Sequence, residues 1–164
     1  MRQVEFVPFR LTDVAEIFSI RIEGELNSEL KEFIITFKDI PDEYLKGDFN
    51  SIIRNLIKIS ENGAAESMFR PEGSIRDRVC ALPLYSTVRD KKKHGTLRLY
   101  CIRISDNLLI VGGGGIKTTR TYEEDEVLSE KVKTLQLIDR ELAKLEDNGT
   151  DLNKGLYNIT LQID

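Results

Sequence analysis

With 164 residues, 40% of them apolar and 32% charged, the chain has the size and balance of one globular domain that can bury its own core. No uncharged apolar run approaches the roughly 18 residues of a transmembrane helix. The start, Met1-Arg2-Gln3-Val4-Glu5, lacks the apolar stretch of a secretory signal, so a cytoplasmic location is expected. Cys80 and Cys101 both sit in apolar strand-like runs and read as buried free thiols, too few for a disulfide scaffold or a cysteine zinc site.

The net charge of −4 conceals a partition. Residues 1–69 carry 8 basic against 13 acidic residues, residues 70–120 carry 11 against 4, and residues 121–151 carry 4 against 10. A block of net +7 thus lies between segments of −5 and −6. Local field rather than total charge decides whether a polyanion is attracted.

In chain order, Val4–Val7 ahead of Pro8 reads as a weak strand or arm. Residues 18–24 alternate apolar and polar, the period of a half-buried strand. Asn27 opens a helix through Leu30, Phe33, Ile34 and Phe37. Pro41 suits the first turn of a second helix, through Leu45, Phe49, Ile52, Leu56 and Ile59, which Asn62-Gly63 stops. Val79–Tyr85 is an apolar run that Pro83 demotes to an edge or bulged strand. Leu97–Ile104 is the clearest strand, and Asp106-Asn107 turns it into Leu108–Val111 as a hairpin. Thr121 and Glu124 have capping-box spacing for a helix starting at Tyr122, with an apolar stripe Leu128, Val132, Leu135, Ile138, Leu142, Leu145. Asn148-Gly149 ends it, and Leu156–Ile163 alternates as a final strand. The order β-α-α-β-β-β-α-β predicts a single α+β domain over 1–164. It would be a small antiparallel sheet with two N-terminal helices and one C-terminal helix packed on it, plus a C-terminal strand.

The run Gly112–Gly115 before Ile116-Lys117-Thr118 departs from a phosphate loop, since Ile116 stands where glycine must precede the lysine. Four glycines at a strand end instead let the backbone kink or another group approach closely. A single histidine, His94, leaves no metal-ligand set and no nucleophile–histidine arrangement, so neither a metal nor a cofactor is expected. The basic residues carry more information. Arg89, Lys91, Lys92, Lys93 and His94 occupy one loop before the strand that carries Arg98, while Lys117, Arg120 and Tyr122 follow the next strand. Alternation puts Arg98 on one side with Tyr100, Ile102 and Ile104, where an arginine needs either a buried ion pair or an anionic ligand.

The stretch Leu97–Ile104, then Leu108–Val111, Gly115-Ile116-Lys117-Thr118-Thr119-Arg120 and an acidic helix start, resembles the RelE/HigB toxin family. One strand and two helices upstream of a three-strand meander extend the resemblance over about residues 18–146, leaving 1–17 and 147–164 as terminal additions. The resemblance implies a RelE-like fold and a toxin of a type II toxin–antitoxin system. Such a toxin is a metal-independent endoribonuclease that cuts mRNA, usually on the ribosome, and is silenced by a cognate antitoxin, here expected to be a helix-turn-helix protein. It also implies catalytic roles for Arg98, Arg120, Lys93, His94 and Tyr122, and RNA-binding roles for Arg89, Lys91, Lys92 and Lys117. Two alternatives stay open: a non-catalytic binder of the same fold, such as a gyrase inhibitor or an inactive toxin, and an unrelated α+β interaction domain.

Overall fold

Pro8 does not end the first strand. In the computed structural model, which describes residues 1–71, 77–84 and 87–164, β1 spans Arg2–Leu11 and pairs antiparallel with β2, Glu16–Ile22. The register slips between Pro8 and Arg10, a bulge that accommodates a residue without an N–H. The Thr12 hydroxyl accepts from the Val14 and Ala15 amides and so shapes the turn between the strands.

Helix α1 covers Glu29–Phe37, capped by Ser28, whose hydroxyl accepts from the Lys31 amide. Helix α2 covers Glu43–Asn62, with the Asp42 carboxylate accepting from the Tyr44 and Leu45 amides. Pro41 therefore lies just outside the helix rather than in its first turn. Gly63, at φ 102°, ends α2 where the glycine was expected to. Short strands β3, Arg70–Pro71, and β4, Val79–Ala81, follow; β4 stops before Pro83, and Tyr85 lies outside the described residues. Lys91–His94 forms a single turn, α3, rather than a loop, because the Asp90 side chain accepts from the Lys92 and Lys93 amides. The hairpin β5, Thr96–Ser105, and β6, Leu108–Lys117, turns at Asp106-Asn107 as the sequence indicates.

The Thr121 capping box does not form. Tyr122–Glu124 is a 3-10 turn, and Asp125 caps α4, Glu126–Asp147, by accepting from the Leu128 amide. The apolar stripe of α4 holds: Leu128, Val132, Leu135, Ile138 and Leu142 are fully buried. Only the second half of Leu156–Ile163 is a strand, β7, Thr160–Ile163; Leu156–Asn158 makes a 3-10 turn first.

The seven strands form one sheet in the order β3-β4-β5-β6-β2-β1-β7. Its pairs are antiparallel except β2–β6, which runs parallel from Glu16↔Leu108 to Ser19↔Val111. The α+β class is thus as expected, but the sheet is mixed rather than antiparallel and larger than a small meander. A hairpin turn specifies only the neighbour it joins. The parallel pair is a non-local choice, made after α1, α2 and three strands intervene.

Alternation along the central strands creates two cores. Phe18, Ile20, Tyr100, Ile102, Leu108 and Ile110 pack on one side with α4, while Ile17, Leu97, Leu99, Cys101, Leu109 and Val111 pack on the other with α1 and α2. The C-terminal helix therefore lies across the sheet from the two N-terminal ones. The glycines of β6 make this close fit possible. A Cβ on Gly112 would come within 2.9 Å of Leu135, and one on Gly114 within 1.9 Å of the Arg98 carbonyl oxygen. No helix among the described residues is long and apolar enough to cross a membrane.

Candidate nucleic-acid interface

The start of β5 and the end of β6 lie side by side, pairing Thr96 with Lys117 and Arg98 with Gly115. Directly opposed residues share a face, and so do residues two apart, so Arg98 and Lys117 stand on the α4 side of the sheet. Tyr100 is next along that face, and the Tyr122 ring packs edge-on against it with 6.3 Å between centroids. Arg120 is exposed on the segment that joins β6 to the Tyr122 turn. Arg98 is half-buried, and among the described residues no carboxylate forms an ion pair with it. Of the two explanations that an arginine on this face called for, the buried ion pair is thus not found among the described residues.

The residues before β5 separate into two kinds. Lys91, Lys92 and Lys93 are exposed on α3, at the same end of the sheet. Arg89 is not available to a ligand. Its guanidinium makes two bonds of 2.6 Å to the Asp48 carboxylate, and both side chains are 1% exposed. The same guanidinium donates to the Gly95 carbonyl and lies 5.2 Å from the centre of the Tyr44 ring. Asp48 in turn accepts from the Leu97 amide at 3.1 Å, so this cluster fastens α2 to the start of β5. The expected RNA-binding role of Arg89 is thereby corrected to a structural one. A buried charge this well satisfied has no capacity left for a phosphate.

His94 turns back toward α2. Its Nδ1 is 2.7 Å from the Asp42 carboxylate, and its ring centre is 4.6 Å from that of Tyr44. This places His94 on the α2 side of the sheet and Arg98 on the α4 side. The five expected catalytic residues consequently do not converge on one cleft. Arg98 and Tyr122 come together with Lys117, Arg120 stands nearby in sequence, and His94 is apart.

The His94 contact also holds the Asp42 carboxyl below the usual carboxylate range, with the Tyr44 and Leu45 amides adding to the effect. A carboxyl lowered in the folded state stabilises fully above its unfolded value of about 4, and that contribution is lost as pH falls through the folded value. Asp42→Asn keeps a capping side chain but removes the charge. Its stability, measured by urea titration at a series of pH values, is expected to fall less steeply below about pH 4 than that of the unchanged protein. Parallel pH profiles would show the pair to be inconsequential.

A second feature was not legible in the sequence. Where β2 and β6 part beyond Ser19 and Val111, the Ser19 hydroxyl donates to the Val111 carbonyl and accepts from the Leu30 amide. The chain leaves β2 for α1 on one side and β6 for α4 on the other, which opens a crevice at the carboxyl ends of the parallel pair. The crevice, of about 370 Å³, is floored by Gly113–Gly115, walled by Phe33 and Phe37, and crossed by a 3.0 Å Glu29–Lys131 ion pair. Glu32 and Asp125 also line it. The negative field extends beyond its rim. The Glu25 carboxyl is pushed up by burial and then by Glu29. Finding this crevice requires knowing that β2 and β6 are neighbours, for which no local pattern exists. In comparisons with protein-family models, curated proteins and solved structures, nothing matches this chain.

Proposed function

We propose that this chain is the toxin of a type II toxin–antitoxin pair, an RNA-directed endoribonuclease of the RelE/HigB kind, held inactive by a cognate antitoxin. One observation carries the reading: Arg98 sits half-buried on a tyrosine-lined face with no carboxylate partner among the described residues, beside Lys117 and next to the exposed Arg120. An arginine held by its strand but lacking an acid is suited to bidentate contact with phosphate. Cleavage through the 2′-hydroxyl builds charge on the phosphorane oxygens, where Arg98 and Arg120 act, while Tyr122 stacks on a base. Lys91, Lys92 and Lys93 extend the basic track along the RNA backbone, and Lys93, exposed on α3, is the side chain left to move a proton.

A second reading, a binder of RNA or of a partner protein without catalysis, is favoured by the position of His94, bound to Asp42 across the sheet from Arg98. Growth and binding measurements separate the two. Inducing the protein alone in bacteria should arrest translation, and Arg98→Ala should lift the arrest while leaving the circular dichroism spectrum unchanged. Lack of arrest by soluble, folded protein would remove the endoribonuclease reading. In that event RNA binding should still weaken with salt, and changing Lys91, Lys92 and Lys93 together to Gln should flatten the salt slope by about 2–3 phosphate contacts. An unchanged slope would mean that the α3 lysines are only solvated.

A further inference from the structure

The two cysteines lie 21 positions apart in sequence but directly opposite each other, Cys80 on β4 facing Cys101 on β5. Directly opposed residues of an antiparallel pair point to the same face, and both thiols belong to the core beneath α1 and α2. Two rungs away on either side, the Leu82 amide donates to the Leu99 carbonyl at 2.8 Å and the Arg103 amide to the Arg78 carbonyl at 3.3 Å. Hydrogen-bonded rungs recur every second residue, so the cysteine rung is of the same kind, with Cα atoms about 5.5 Å apart. That separation lies within the roughly 4.4–6.8 Å that a disulfide spans. The Cys101 thiol donates to the Cys80 carbonyl at 3.6 Å, so it already leans toward the opposite strand.

We propose that Cys80 and Cys101 form a reversible cross-strand disulfide when the protein meets a hydroperoxide. The two thiols differ in access. Cys101 is fully buried, and burial pushes its thiol well above the ordinary range, whereas Cys80 retains 9% exposure. Cys80 is also on a three-residue strand whose outer neighbour, β3, has two residues, so its local opening costs less than that of the ten-residue strand that carries Cys101. The peroxide therefore oxidises Cys80 first: a sulfenic acid forms on its sulfur and the alcohol or water of the cleaved O–O bond leaves. The Cys101 sulfur then attacks the Cys80 sulfur, the S–O bond breaks, and the oxygen departs as water with the Cys101 proton. Dithiothreitol reverses the bond by thiol–disulfide exchange.

The bond would fasten β4 to the central sheet. Arg78, immediately before β4, donates a hydrogen bond to Asp139 of α4 at 2.7 Å and forms an ion pair with Glu146 at 2.8 Å, so the staple also secures the attachment of α4.

Hydrogen peroxide added to the folded protein is the test. After oxidation, alkylation in denaturant should find no free thiol where the reduced protein has two. Peptide mass mapping should recover a Cys80–Cys101 link in the monomer, lighter by two hydrogens. The melting temperature should rise by about 5 °C or more and return with dithiothreitol. Cys101→Ala should trap the sulfenic acid, seen as a dimedone adduct on Cys80, while Cys80→Ala should give no adduct. Two free thiols after oxidation, or links only between chains, would overturn the proposal. So would an adduct on Cys101 in the Cys80→Ala protein, which would reverse the order of attack.

Discussion

Asp48→Ala is expected to destabilise the protein by about 3–5 kcal/mol, measured by urea unfolding followed by circular dichroism. Two losses act together. The Arg89 guanidinium, 1% exposed and bonded twice to Asp48 at 2.6 Å, would be left charged in a site closed to water. The Leu97 amide would also lose its acceptor at the first rungs of β5. A domain stable by about 5–15 kcal/mol loses much of its margin through such a change. Asp48→Asn keeps an acceptor for Leu97 but not the charge, so it should fall between the two. Replacing both partners with leucine should be milder than Asp48→Ala, because no unpaired charge remains. A cost below about 1 kcal/mol for Asp48→Ala would show that water or rearrangement satisfies Arg89, and that the fastening of α2 to β5 is weak.

The second large effect belongs to Gly114. An added Cβ there would lie 1.9 Å from the Arg98 carbonyl oxygen and 2.9 Å from the Leu99 Cα. These are backbone atoms of the paired strand, so no side-chain rotation relieves the contact. Gly114→Ala should force β5 and β6 apart at the bulge between Leu99 and Cys101, at a cost of about 3 kcal/mol. Because Arg98 is the residue displaced, the RNA affinity that the proposed function requires should fall more than global stability alone explains. Gly115→Ala is the control. Its Cβ would meet only the Leu128 Cδ2, at 3.3 Å, and should cost about 1 kcal/mol or less. Equal costs for the two variants would mean that the hairpin backbone relaxes freely and that the close approach at Gly114 is not what demands glycine.

Both changes act where local reasoning and tertiary structure part company. That the glycine run serves either a backbone kink or a close approach was visible from its departure from a phosphate-loop pattern. What approaches was not, since α4 and the opposite strand arrive from elsewhere in the chain. Arg98 stood out by alternation, as an arginine among aromatic and aliphatic residues, and it does share the face of Tyr100 and Ile102. Arg89 looked equivalent to its lysine neighbours because charge in a sequence has no depth. Only the fold brings Asp48, 41 residues earlier, beneath it.

The sequence by itself determined the α+β class, the course of α1, α2 and α4 to within a few residues, the β5–β6 hairpin, and the basic block. Each of these rests on periodicity, capping, turn chemistry or composition, which act between residues near in the chain. Tertiary structure decided the parallel β2–β6 pair, the placement of α4 across the sheet from α1 and α2, the acidic crevice, and the separation of His94 from Arg98. Those outcomes depend on which apolar faces meet after long loops close. Strand pairing over such distances is chosen by the burial of both sheet faces at once, a property of the assembled core that no single segment encodes.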